Sequence, residues 1–237
     1  MSEKIPACFL WLERIDFTEA YPLQKGAARY VSRFREPELF LLLEHDPVFT
    51  LGRQAKKDHI LAPPELLDQE GIKVVATDRG GDVTYHGPGQ LVGYPLLDLR
   101  RHGRDLHRLI WMYEEIIIRV LAEFGLAGTR EPRYPGVWIG DRKIAAIGIG
   151  VSRWITYHGF AFNINPNLEH FSYIVPCGIR EKGVTSLARE LGQEVAVTEV
   201  IEPLRRHAAV VLNLEWVETL AGEEALSYLR EVAAWRE

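Results

Sequence analysis

Only two cysteines, Cys8 and Cys177, occur in 237 residues. They lie far apart, so no disulfide framework is expected and each thiol is read on its own. Runs of like charge are also missing: 28 basic and 33 acidic side chains leave a formal net charge of -5, with no basic stripe that would neutralise a nucleic-acid backbone. A nucleic-acid partner is therefore not expected. The opening stretch MSEKIPACFLWLERIDF is interrupted too soon by charge to be a signal sequence or a membrane span. This predicts a cytoplasmic protein with no membrane partner. No repeat of solenoid length and no low-complexity linker divides the chain. A single domain over 1–237 is expected, with 196–237 as a candidate small C-terminal subdomain.

The apolar share, 47% of residues, is enough for a sizeable core. Strand-like segments at 9–15, 38–45, 48–53, 73–77, 83–86 and 91–99 alternate with helix-like ones, and the run Leu39 to Leu43 reads as buried sheet. A helix opened by Thr18 carries Leu23, Ala27, Tyr30 and Phe34 on one side, with Pro22 near its first turn. The clearest helix runs from Asp105, a good N-cap, to Phe124, where Gly125 stops it. Residues 137–139, 143–151 and 155–163 read as antiparallel strands, and 198–212 and 223–235 as amphipathic helices around a short strand at 214–217. The fold class predicted is α+β, a mixed and largely antiparallel sheet flanked by helices.

Gly148 and Gly150 interrupt the apolar strand 143–151, which marks a place where another backbone or a ligand comes close. Cys177 sits between Pro176 and Gly178, a context that favours a tight, exposed turn over a buried strand. A thiol becomes a nucleophile near neutral pH when a cation or a helix N-terminus favours its thiolate. Lys143 and a helix start near 183–187 are candidates to supply that help. The pair of glycine-rich turns, Arg79-Gly80-Gly81-Asp82 and His86-Gly87-Pro88-Gly89, is compatible with a phosphate cradle, an oxyanion site or two plain turns. It has the spacing of neither a Walker loop nor a dinucleotide fingerprint. His86 and His158 lack a short Cys/His partner, so no metal site is predicted.

Four blocks together are far more specific: LLLEHDPVFTLGR at 41–53, RGGDVTYHGPGQLVGYPLLDL at 79–99, GVWIGDRKIAAIGI at 136–149, and HGFAFNINPNLEHFSYIVPCGI at 158–179, followed by VTSL. In this order they closely resemble the octanoyltransferases of lipoate biosynthesis, the lipoyl(octanoyl) transferase family. The likeness spans roughly residues 8–190. One departure is Asn167, which stands where many members have an acidic residue.

The resemblance implies a fold like the catalytic domain of biotin and lipoate protein ligases, and an enzyme that transfers octanoyl or lipoyl from acyl carrier protein to a lysine. The acceptors it implies are lipoyl domains of 2-oxoacid dehydrogenases and the glycine cleavage H protein, and it implies no ATP and no other cofactor. Carried over by position, Cys177 is the acyl-thioester nucleophile and Lys143 lowers its pKa. Substrate contacts fall on Arg79, Gly80, Gly81, Asp82, Val83, Thr84, Tyr85 and His86, on Ala146, Ile147 and Gly148, and on Gly159, Phe160 and Ala161. Lys143 is also a candidate base for the acceptor amine. Arg53, Lys56, Lys57, Arg142, Arg180 and Lys182 are candidates for docking acidic carrier domains. Rival readings are an ATP-dependent lipoate ligase, an amidotransferase working between proteins, and a non-enzymatic acyl-binding module.

Overall fold

The computed structural model describes residues 3–175 and 182–235. The chain opens with strand β1 (Ile5–Arg14) and helix α1 (Phe17–Phe34). Asp16 caps that helix by accepting from the Thr18 N–H at 2.8 Å. The helix thus begins earlier than Thr18 implies, and Pro22 falls in its second turn. Strands β2 (Glu38–Glu44) and β3 (Val48–Leu51), helix α2 (Pro64–Gln69), and strands β4 (Lys73–Ala76), β5 (Val83–His86) and β6 (Gln90–Leu96) follow. Helix α3 (Leu106–Glu123) starts at the expected cap, where Asp105 accepts from the N–H groups of His107 and Arg108.

Next come β7 (Thr129–Arg130), β8 (Gly136–Ile139), β9 (Arg142–Ser152) and β10 (Ile155–Asn163). The last elements are β11 (Gly183–Val184), α4 (Leu187–Leu191), α5 (Val197–Val211), β12 (Leu214–Ala221) and α6 (Gly222–Ala234). The main sheet runs in the order β12-β1-β2-β6-β10-β9-β8-β7, with β11 alongside β9. Its β12, β1 and β2 are parallel, while β2, β6, β10, β9, β8 and β7 follow as antiparallel neighbours. The mixed, helix-flanked sheet is that of the sequence reading. A second sheet, β4-β3-β5, stands apart from it.

Strand β2 shows why an unbroken apolar run suits this layout. Phe40 and Leu42 pack into the core beneath α3 and α5, while Leu39, Leu41 and Leu43 pack into the core beneath α1 and α6. Both faces of the strand are covered, so neither can be polar. The small sheet has its own core, in which Phe49, Val83 and Tyr85 meet Phe171 and Ile174. Asn167 caps the 3-10 turn Leu168–Tyr173 through the Glu169 N–H at 3.0 Å, a task an acidic side chain at that position would also perform.

Candidate active site

Strands β9 and β10 build the floor of the site, and each departs once from regular strand geometry, β9 in its pairing with β8 and β10 in its backbone conformation. On β8 and β9, Val137 faces Ala145 but Trp138 faces Lys143, so Ile144 is an extra residue and forms a β-bulge. Val137, Ala145 and Ile144 all enter the core beneath α3 and α5. Lys143 is thereby turned to the opposite face with Trp138, the face that also carries Ala146 and Gly148. Plain alternation would have placed Lys143 with Ala145.

On β10 the irregularity is His158, whose φ of 55° lies in the left-handed region. Phe160 and Phe162 lie under α3, yet His158 is on the α1 side: its ring stacks on Tyr21 at 5.4 Å and its N–H donates to the Gln24 Oε1 at 2.7 Å. Such a conformation costs a non-glycine residue on the order of 1 kcal/mol and persists where its surroundings enforce it.

Between these strands and the 79–82 loop lies a cleft of about 510 Å³, its open mouth included. Arg79, Gly80, Gly81 and Asp82 line it from the loop, and Thr84 and His86 from β5. Ala146, Ile147 and Gly148 of β9 face Gly159, Phe160 and Ala161 of β10 across the ladder and complete the floor. Val83 and Tyr85 are the expected contacts that do not line it; on β5 they alternate to the other face and fill the small sheet's core. Phe17, Val92, Tyr94 and His158 line it as well, though the sequence reading singled out none of them as contacts.

Gly148 explains how the loop comes so close. The Gly80 N–H donates to the Ile149 carbonyl at 3.2 Å, and a Cβ on Gly148 would stand 3.0 Å from the Gly80 oxygen. Gly150 has a different cause: the Tyr157 ring occupies the space of its missing side chain.

A chain of hydrogen bonds joins the loop to Lys143. Arg79 donates from Nε to the Thr50 hydroxyl and from Nη2 to the Thr50 carbonyl. That hydroxyl donates to His86 Nε2 at 3.3 Å, and His86 Nδ1 donates to the Gln90 Oε1 at 2.7 Å. Gln90 donates to Asn163, Asn163 to the Thr185 carbonyl, and the Thr185 N–H to the Lys143 carbonyl at 3.0 Å. Burial pushes His86 well below its ordinary pKa and pushes His45 and His158 to about 4. These rings are therefore uncharged spacers near neutral pH.

Lys143 lies outside the cleft lining, about 10 Å along β9 from Ala146 at ~3.3 Å per residue. It is 8% exposed. Its Nζ donates to the Pro135 carbonyl at 3.2 Å and sits 4.8 Å from the Trp138 ring centroid. Lys182 Nζ lies 4.7 Å from the same centroid and pairs with Glu131 at 2.6 Å. Cys177 and Arg180 fall outside the described residues. The chain is tied at either end of that segment, by the Val175 N–H to the His59 carbonyl at 2.8 Å and by Lys182 on Trp138.

The other thiol, Cys8, is buried beside the Tyr228 hydroxyl, and burial pushes its pKa up, which makes it a poor nucleophile. The helix expected near 183–187 begins only at Leu187, after the bridge of β11 to β9. Among the docking candidates, Arg142 is held by Glu190 and Lys182 by Glu131, whereas Arg53 and Lys56 are exposed. No helix among the described residues is long and apolar enough to cross a membrane.

Residues 16–209 match the model of the lipoyl protein ligase A/B catalytic domain. The chain is 45% identical over 215 residues to the octanoyltransferase of Caldicellulosiruptor saccharolyticus, covering 90% of this chain and 91% of that protein. It is 48% identical over 215 residues to the octanoyltransferase of Chloroflexus aurantiacus, covering 89% and 96%. Among solved structures, the bipartite lipoate protein ligase of Thermoplasma acidophilum superposes with a TM-score of 0.70 at 16% identity, over 97% of this chain and 92% of that one. The biotin protein ligase of Aquifex aeolicus superposes with a TM-score of 0.53 at 14% identity, over 86% and 70%. At those identities the likeness concerns the fold.

Proposed function

Because the chain belongs to the lipoyl protein ligase A/B catalytic-domain family, we propose that it moves octanoyl from acyl carrier protein to a lysine of a lipoyl domain through a thioester on Cys177. Octanoyl transfer is the activity for which its relatives of 45% and 48% identity are named, and proteins carrying acyl or lipoyl groups are its partners. The observation that carries the thioester reading is the bulge at Ile144. It turns a nearly buried ammonium away from the core, onto a ring shared with Lys182 at the end of the segment that bears Cys177.

In this reading the Lys143 cation favours the Cys177 thiolate, which attacks the carrier's thioester. The oxyanion that forms is met by backbone N–H groups, and the carrier's thiolate leaves. The octanoyl chain then lies along β9 into the cleft, where burying it is worth roughly 0.8 kcal/mol per methylene. Attack by a lysine amine on the enzyme thioester forms the amide, a downhill step that needs no nucleotide. Acceptors of this chemistry are lipoyl domains of 2-oxoacid dehydrogenases and the H protein of glycine cleavage.

Intact-mass spectrometry after mixing with octanoyl carrier protein tests the reading. A single octanoyl adduct that hydroxylamine removes is expected on the wild type, and Cys177→Ser should yield no hydroxylamine-labile adduct. An unmodified wild-type protein overturns it.

A further inference from the structure

We propose that the exposed arginines around the turn between β9 and β10 are the seat of the acyl carrier protein that delivers the octanoyl group. The inference rests on the proposed function for the identity of the donor. It adds a surface for that donor at the end of β9 remote from Lys143.

Three parts of the chain assemble this surface. On α1, Arg29 and Arg33 are exposed one turn apart, and Arg35 follows at the left-handed C-cap of the helix. The turn between β9 and β10 adds Arg153 and Trp154. The loop before α3 adds Arg104, whose guanidinium lies 5.8 Å from the Trp154 ring centroid. That loop is joined to both neighbours: the Leu99 N–H donates to the Trp154 carbonyl at 2.8 Å, and Arg101 Nη1 donates to the Arg35 carbonyl at 3.3 Å. The acids on this face are already engaged. Asp78 is paired with Lys25, Asp98 with Arg100 and Glu36 with Arg101, while Asp105 caps α3. Arg29, Arg33 and Arg104 form no ion pair among the described residues. On a chain of net charge -5, such a concentration of cations steers an acidic partner to one face.

The backbone is strained to hold these side chains outward. A two-residue hairpin turn with positive φ at both positions favours Asn-Gly, yet here φ is 49° at Arg153 and 72° at Trp154. Arg35 and Arg104 are left-handed as well, at 67° and 58°. Non-glycine residues in this region concentrate where a functional surface requires them. Trp154 is 46% exposed, so an aromatic centre is ringed by arginines, and these two residue types carry much of the binding energy at protein interfaces.

The surface adjoins the cleft without belonging to it. Lys25, Arg29, Ser32, Ser152, Arg153 and Tyr157 line a second pocket of about 590 Å³, its open mouth included. Asp78 stands between the two, accepting from Lys25, Tyr21 and Tyr157 and pairing with His158, which lines the cleft. Ser152 is about 13 Å along β9 from Gly148 at ~3.3 Å per residue. A lysine's four-carbon stem is too short to bridge that gap from a partner seated here, whereas an acyl group at the end of a carrier's phosphopantetheine arm reaches across it. The distance thus favours the donor over the acceptor. Two of the docking candidates named from sequence suit the role less, since Arg142 is held by Glu190 and Lys182 by Glu131.

The experiment compares two donors of the same acyl group. Wild type, Trp154→Ala, the pair Arg29→Glu with Arg104→Glu, and the milder pair Arg29→Gln with Arg104→Gln are loaded with octanoyl carrier protein or with octanoyl pantetheine, a thioester without the protein. The adduct is followed by intact mass. With the carrier, wild-type loading should slow as salt rises from about 0.05 to 0.5 M. At low salt the Glu pair should lose at least about tenfold in kcat/KM, through KM, and much of the salt dependence; the Gln pair and Trp154→Ala should lose less. Loading from octanoyl pantetheine should be unchanged in every variant, as should transfer to a lipoyl domain from enzyme already loaded. Normal loading of the Glu pair from the carrier overturns the proposal, and equal losses with both donors, the sign of a damaged cleft, overturn it too. Loss confined to the transfer step assigns the surface to the acceptor. Loss of binding to phosphatidylglycerol vesicles, with carrier loading normal, assigns it to a lipid surface; either result overturns the proposal. A wild type that takes no adduct from either donor sinks the proposed function. Fluorescence anisotropy of labelled octanoyl carrier protein then decides this inference separately: it stands if wild type binds the carrier and the Glu pair does not, and falls if both bind alike or neither binds.

Discussion

Lys143 owes its place to one side chain across the ladder. Trp138 is 2% exposed and presents its ring to two ammonium groups, and a desolvated cation–π contact is worth roughly 2 kcal/mol. Removing the ring should therefore weaken the thiolate-favouring charge without touching the cleft. Trp138→Leu is expected to slow alkylation of Cys177 by iodoacetamide several-fold at pH 7. Lys143→Met should slow it at least as much, and Lys143→Arg should recover part of the rate. Equal alkylation rates in all four proteins would remove Lys143 from the thiol's surroundings. Lys143 was legible as a candidate from its block of sequence, but the means of aiming it was not. The bulge depends on which residue of β8 stands opposite, and a single strand's pattern does not carry that register.

At the scale of elements, the sequence announced strands and helices best where both neighbours in space were implied by one local pattern. The unbroken run Leu39 to Leu43 could only be a strand covered on both faces, and Asp105 marked the start of α3. Glycines were harder to interpret, since the same absence of a side chain serves different neighbours. Gly150 makes room for Tyr157 of the adjacent strand, while Gly148 lets the 79–82 loop hydrogen-bond onto β9. Gly148→Leu should lift that loop from the strand and obstruct the cleft. Octanoyl loading measured by intact mass is expected to drop at least tenfold, with thermal unfolding remaining cooperative. Loading at the wild-type rate would mean that the acyl chain runs elsewhere.

For the molecule as a whole, the buried histidines make stability depend on mild acid. Burial holds His45 at about 4, below the ordinary 6.5. The unfolded chain therefore binds this proton more readily than the folded one between those values. The stabilisation is complete above pH 6.5 and is lost as pH falls toward 4, on the order of 3 kcal/mol for this one group. Urea unfolding across that range should show the folded state weakening with acid, and His45→Gln should flatten the slope by up to one proton. Parallel slopes for the two proteins would mean that His45 is charged in the folded state.

The position of β1 between β2 and β12 also bears on how the chain is made. Its partner on one side arrives within thirty residues or so, but the other is not synthesised until residues 214–221. Until then the nascent chain carries an open, apolar strand edge that β12 alone closes. A ribosome stalled before β12 would present that edge to its neighbours, and holdase capture of such truncated chains should cease once β12 has emerged.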